Sequence, residues 1–178
     1  MAEAPDEELM LAYRDGDAGA FETLYTRHRA RLFRFVQRGI ESRASAEELY
    51  QEIWMRVIEA RATYKPSARF TTWLYTIAHH RMVDHWRRSG LSAISLETVD
   101  VPGNDPGPQR HAEGREALAR FAAALEGLPP AQREAFLLHE EAGLTVPEIA
   151  AATGSNEEAA KSRLRYAMAK LKAAVDDG

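Results

Sequence analysis

The sequence predicts an all-α protein: two small helical domains joined by an extended linker, the second domain ending in a helix–turn–helix. Three observations carry this. Apolar residues recur at three- and four-residue spacing, and no stretch alternates as a strand would. Residues 145–172, TVPEIAAATGSNEEAAKSRLRYAMAKLK, hold two helix start signals separated by a glycine. Residues 89–113, SGLSAISLETVDVPGNDPGPQRHAE, hold three of the eight prolines and three of the 11 glycines, a linker composition.

The elements follow in order. Phe21, Leu24, Tyr25, His28, Leu32, Phe35 and Val36 fall on one face of a first helix, and Arg27, Arg29, Arg31, Arg34 and Arg38 occupy much of the remainder. Ser45, with Glu48 three residues on, signals the start of a second helix, whose stripe is Leu49, Ile53 and Val57, widened by Trp54 and Ile58. The spacing predicts a third helix over 71–88 with Trp73, Leu74, Ile77 and Ala78 inward, preceded by TYKPSARF as a loop. Beyond the linker come helices over about 115–125 and, past the break GLPP, over about 131–142. Thr145 with Glu148, and Ser155 with Glu158, each read as a capping box, in which a hydroxyl takes a free backbone N–H and the carboxylate returns the bond. Pro147 falls in the first turn, and Gly154 suits the left-handed residue that ends a helix. The domains therefore span 1–88 and 114–178, each small enough that its stability depends on packing against a partner.

Charge is distributed in blocks. The 178 residues carry a net −4, yet 21–40 sum to +4 and 61–90 to +5, against −5 over 1–20 and −3 over 41–60. Local patches thus matter more than the total. With no cysteine, disulfides and thiolate chemistry are excluded, and a reducing compartment is compatible. The opening MAEAPDEELM is acidic and lacks the apolar core of a secretory signal, and no run approaches 18 apolar residues.

Four stretches bear on function, each with a plainer alternative. In the helix–turn–helix, Val146, Ile149 and Ala150 can pack the first helix and Ala159, Ala160 and Leu164 the second. The second helix then offers Lys161, Arg163, Arg165, Lys170 and Lys172 to a major groove, where cations read guanine and Glu157 or Glu158 can accept from cytosine. The alternative is a helical hairpin with a solvated charged face. In 64–88, aromatics alternate with Lys65, Arg69, Arg81, Arg87 and Arg88, a composition that grips single-stranded nucleic acid or forms a core helix with a basic surface. His79, His80, Asp84 and His85 invite a metal reading, with His80 and Asp84 four apart, but two ligands do not make a site. In EELYQEIW, residues 47–54, Glu48 and Glu52 share a face beside an apolar stripe, as in a protein-docking surface or an amphipathic core helix. No nucleophile motif, phosphate loop or catalytic acid pair is evident, so no enzymatic activity and no cofactor are expected.

Taken in order, FETLYTRHRARLFRF, AEELYQEIW, FTTWLYTIAHHRMVDHWRR, LPPAQREAFLL, LTVPEIAAATG and AKSRLRYAMAKL resemble a bacterial RNA polymerase sigma factor of the extracytoplasmic function (ECF) group in the sigma-70 family. The resemblance covers nearly the whole chain. It implies that residues 1–88 dock on the β′ clamp helices of core polymerase and open the −10 promoter element. Glu48, Leu49, Gln51 and Glu52 match the docking motif. Tyr64, Lys65, Ser67, Arg69 and Phe70 match the loop that captures a flipped base, and His79, His80, Asp84, Arg87 and Arg88 the helix against −10 DNA. Residues 114–178 would sit on the β flap and read the −35 element through Ser155, Glu158, Lys161, Ser162, Arg163 and Arg165. The linker would thread the RNA channel. The resemblance also implies an anti-sigma factor and a cytoplasmic location, near the membrane where that factor is membrane-bound. The chain departs from the family at Tyr50, usually aliphatic, at His79–His80, usually Arg-Asn, and at Glu157 and Glu158, usually small and apolar. The alternatives are a helix–turn–helix regulator that does not join polymerase and a helical metalloenzyme centred on the histidines.

Overall fold

The computed structural model describes residues 3–90 and 114–176, which form eight α-helices and one 3₁₀ turn. The first helix, α1 (Asp6–Arg14), is absent from the sequence reading. Its first turn holds Asp6, Glu7 and Glu8 at the positive end of the helix dipole, and Met10 and Tyr13 are buried. In α2 (Ala18–Gly39), Asp17 caps the start by accepting from Gly19 N and Ala20 N, and Leu24, Leu32, Phe35 and Val36 form the buried stripe. Helix α3 (Arg43–Ala60) starts earlier than expected. Ser42 Oγ takes the Ser45 amide at 3.3 Å, so Ser42 is the cap and Ser45 lies within the first turn. After the 3₁₀ turn Arg61–Thr63 and a short loop comes α4 (Phe70–Arg88), which buries Phe70, Leu74, Tyr75, Ala78, Met82 and Trp86. Trp73 and Ile77, expected inward, flank that stripe and are partly buried.

The carboxy-terminal helices are α5 (Arg115–Gly127), α6 (Pro130–Glu140), α7 (Val146–Thr153) and α8 (Glu157–Asp176). The Thr145 box forms on both sides: Glu148 N donates to Thr145 Oγ1 at 3.3 Å, and Thr145 N to Glu148 Oε1 at 3.0 Å. Gly154 ends α7 in the left-handed region, φ 66° and ψ 29°. The second expected box does not form. Asn156 Oδ1 takes the Ala159 amide at 2.7 Å, while Ser155 Oγ turns back to Thr153 Oγ1 at 2.9 Å. Asparagine caps as well as serine, and the left-handed turn puts Asn156 in the capping position. Open space surrounds a Cβ built on Gly154, so Gly154→Ala carries only the backbone cost, about 1–2 kcal/mol. Chemical denaturation reads that loss directly, and no loss would mean the turn is not left-handed in solution.

Helix α8 is the spine of the second half, with α5, α6 and α7 packed along it; in the first half α2 packs against α1 and α3, and α3 against α4. The halves are not separate bundles. Helix α4 lies against α7 and α2 against α6, and the buried apolar residues form one continuous core. Gly39 marks a close approach of α2 to α4, where a Cβ would run into Met82 Cε, and Leu137 Cδ1 of α6 would lie at 3.9 Å, ordinary contact. Each half thus meets its packing need in the other. Periodicity shows which face is apolar but not what covers it. Apart from Ser89 and Gly90, which follow α4, the expected linker lies outside the described residues.

Candidate nucleic-acid interface

Helix α3 holds the expected docking residues by burying one side and leaving the other in solvent. Leu49 is anchored in the core, Glu48 and Gln51 are exposed, and Glu52 is half-buried. Tyr50, the departure from the family pattern, is a packing residue: its ring meets Phe33 edge-on at 5.3 Å and its hydroxyl donates to Arg29 O at 3.3 Å. Glu48, Leu49 and Glu52 form one wall of a groove whose other wall is Asp84, His85 and Arg88 of α4. The structure therefore brings expected docking residues and expected DNA residues into one groove. Asp84 is already matched within its own helix, accepting from Arg81 Nη2 at 2.7 Å.

The loop into α4 divides by burial. Lys65, Ser67 and Arg69 are exposed, whereas Tyr64 and Phe70 are buried. Both aromatics of the loop matched to −10 DNA are thus covered in the free chain. Helix α1 is the reason: Glu7 accepts the Phe70 amide at 2.8 Å, and Arg14 reaches Tyr64 O at 3.4 Å, closing α1 over the loop. The Tyr64 ring stands edge-on to Trp73 at 5.0 Å, and Phe70 lies 5.2 Å from the His28 ring. Burial, with Glu7 and Asp6 nearby, pushes the Tyr64 hydroxyl above its ordinary pKa. These rings brace the loop, and the cations between them project from it. His28, expected on the apolar face, is tied to Asp6 Oδ2 at 2.9 Å.

Along α4, His80, Arg87 and Arg88 are exposed, but His79 is not. Its Nδ1 lies 2.6 Å from Glu134 Oε1 on α6, and Glu134 is buried. Thr72 Oγ1 donates to Glu148 Oε2 at 3.1 Å, and Arg69 Nη1 approaches the same oxygen at 3.5 Å. Burial alone would raise the Glu148 pKa. The hydrogen bonds from Thr145 and Thr72 and the Arg69 charge outweigh it and hold the carboxyl below its ordinary value. Part of the expected −10 face is thus covered by the second half of the chain. The sequence reading used Glu148 only as a cap and missed Glu134. The available signal was a carboxylate inside the run QREAFLL, where the buried phase of α6 asks for an apolar residue.

Helix α8 presents the expected −35 residues unevenly. Lys161 and Arg165 are exposed, Ser162 and Arg163 are half-buried, and Glu157 and Glu158 are exposed in the first turn. Ser155 is occupied with Thr153. The Arg165 guanidinium lies 5.7 Å from the centroid of the Tyr166 ring, itself exposed, adding an aromatic that the sequence reading did not single out. Among the described residues, no group of three or more His, Cys, Asp or Glu is arranged to hold a metal ion. Nor is any helix there long and apolar enough to cross a membrane.

Comparison with known proteins matches two stretches of the chain. Residues 24–91 match the family model of sigma-70 region 2, and residues 118–171 that of sigma-70 region 4. The chain is 34% identical over 174 residues to the RNA polymerase sigma factor CarQ of Myxococcus xanthus, covering 92% of this chain and 93% of that one. It is 31% identical over 178 residues to the ECF RNA polymerase sigma factor SigE of Mycolicibacterium smegmatis, covering 96% and 69% respectively. Among solved structures it is similar to CnrH in complex with the cytosolic domain of CnrY, with TM-score 0.71 and 26% identity over 97% of each chain. The sigma factor RpoE bound to the anti-sigma factor NepR from Bartonella quintana shares the fold, with TM-score 0.69 over 88% of this chain and 96% of that one.

Proposed function

Because the chain belongs to the ECF group of sigma-70 family RNA polymerase sigma factors, we propose that it joins core polymerase, brings it to promoters with −35 and −10 elements, and starts transcription there. The observation that carries this is the order of two surfaces on one chain: the exposed polar side of α3 within the region 2 match, and the exposed cationic side of α8 within the region 4 match. Residues 1–88 dock on the β′ clamp through Glu48, Gln51 and Glu52, with Leu49 holding the helix in place. They meet −10 DNA through Lys65, Ser67, Arg69, His80, Arg87 and Arg88. Residues 89–113 link them to 114–178, which read the −35 element through Lys161, Ser162, Arg163 and Arg165.

Labour divides as in other DNA readers. Cations on phosphates supply affinity and salt dependence, and contacts to base edges supply choice of sequence. The chain is a transcription regulator that adds no bond-making chemistry of its own. An anti-sigma factor holds it inactive, and it works in the cytoplasm, near the membrane where that factor is membrane-bound. Support comes from RpoE of Bartonella quintana, whose fold this chain shares and which is bound by the anti-sigma factor NepR.

Run-off transcription with purified core polymerase on DNA from the source genome tests the proposal. Discrete new transcripts are expected, and the absence of both transcripts and co-elution with core would overturn it. In the same assay Lys161→Ala with Arg165→Ala should lower promoter-specific transcription about tenfold or more, each lost base or phosphate contact weakening binding by roughly 1–3 kcal/mol. Co-elution with core should be unchanged; if it is lost as well, the roles of the two halves are misassigned.

A further inference from the structure

Helix α4 begins without a cap of its own. Arg69, at its N-cap, offers no side-chain acceptor, and its first turn holds no acidic residue. The acceptor comes from α1 instead: Glu7 Oε1 takes the Phe70 amide at 2.8 Å, from 63 positions away. A carboxylate there also meets the positive end of the α4 dipole. About two turns further along α1, Arg14 Nη1 donates to Tyr64 O at 3.4 Å. One helix thus holds both ends of the loop, and Lys65, Pro66, Ser67, Ala68 and Arg69 between those ends are exposed. Helix α1 is in turn fixed to the body of the first half. Asp6 meets His28 at 2.9 Å and Arg27 at 3.0 Å, and the Tyr13 ring lies 4.7 Å from Phe21. Arg61 donates to the Tyr13 hydroxyl at 3.0 Å, and Met10 and Tyr13 are buried.

We propose that α1 is a splint for the 64–70 loop, and that Glu7 and Arg14 are positioning residues that hold the loop in its receiving shape before DNA arrives. This rests on the assignment of that loop to a flipped base of the −10 element. The reason is conformational entropy. A loop that orders only on binding loses affinity for each residue it must fix, and one fixed beforehand does not. The buried rings of Tyr64 and Phe70 anchor side chains, but the backbone carbonyl and amide at the two ends also need partners. Helix α1 supplies both. Glu7 therefore acts on DNA through the loop and touches no base itself. What it must provide is an acceptor oxygen, which glutamine also carries.

The test compares the full-length wild type with Glu7→Ala and Glu7→Gln. In the free chain, amide hydrogen exchange over residues 64–73 should be about tenfold faster in Glu7→Ala, with α2 and the middle of α4 unchanged. Glu7→Gln should exchange like the wild type. Unchanged exchange in folded Glu7→Ala would overturn the splint. Equal loss of protection along all of α4 would also overturn it, because Glu7 would then be a general stabiliser. With core polymerase, each protein is next titrated against a promoter mapped by run-off transcription and opened by mismatches over the −10 element. The non-template strand is either intact or carries one abasic site, moved through the element to find the captured base. Removing that base should weaken wild-type binding about tenfold, and Glu7→Ala should weaken binding of intact DNA about tenfold. Both changes together should cost little more than either alone, since each removes the same fit. Additive losses would overturn the positioning role, and so would a wild type that no abasic site weakens. Should Glu7→Ala not fold, Arg14→Ala, at an exposed position, goes through both measurements with the same criteria. Absence of transcripts and of co-elution from the wild type would count against the proposed function instead, and exchange would still judge the splint.

Discussion

Changing Glu48 and Gln51 together to lysine is expected to lower affinity for core polymerase by about two orders of magnitude while leaving the fold intact. Both side chains are in solvent on α3, and the anchoring of that helix belongs to Ala46, Leu49, Ile53 and Val57, which the substitutions do not touch. The helix therefore still forms and packs, and the change acts only on what its outer side meets. Placing like charges across an interface, or truncating a paired charge, costs roughly 2–5 kcal/mol, and every 1.4 kcal/mol is about tenfold. Co-elution with core and the dependence of transcription on sigma concentration both report the loss. Undiminished co-elution, with an unchanged melting profile, would remove the docking assignment.

Phe35→Ala should be the most destabilising single substitution of those considered. Phe35 is fully buried on α2, and its ring stands edge-on to Tyr75 of α4 at 5.2 Å. Tyr75 is itself buried, and burial pushes its hydroxyl far above the ordinary range. Removing the Phe35 ring leaves a cavity between two helices that cannot close over it, because Gly39 and Met82 already fix their approach. The expected loss is about 3–5 kcal/mol, a large share of the 5–15 kcal/mol that holds a typical domain together. Urea denaturation would show it as a shifted midpoint. A loss under about 1 kcal/mol would mean that α2 and α4 do not pack here in solution.

How far the sequence could be read depended on the range of the forces involved. The capping box at Thr145 and the left-handed Gly154 are interactions between residues three or four apart, and both appear as expected. The Ser155 and Ser45 starts were misplaced for an equally local reason: a better-placed neighbour, Asn156 or Ser42, took the amide. Helix α1 escaped notice because its acidic start, Asp6, Glu7 and Glu8, reads as a solvated terminus until Glu7 is seen capping α4. That helix then decided the fate of Tyr64 and Phe70, which the sequence offers as aromatic contacts and the fold uses as supports.

By itself, then, the sequence determined the all-α class, the helix–turn–helix, the amphipathic helix α3, the cationic face of α8 and the family, because each rests on spacing within one element or on the order of motifs. Only the tertiary structure decided that the two halves close on each other, that Gly39 lets α2 approach Met82 of α4, and that Glu134, Glu141 and Glu148 find His79, Arg34, Arg38, Thr72 and Arg69. Those pairs join residues 55 to 107 positions apart. Helical periodicity says which side of a helix is apolar and which charged, but it carries no information on which other helix will meet it.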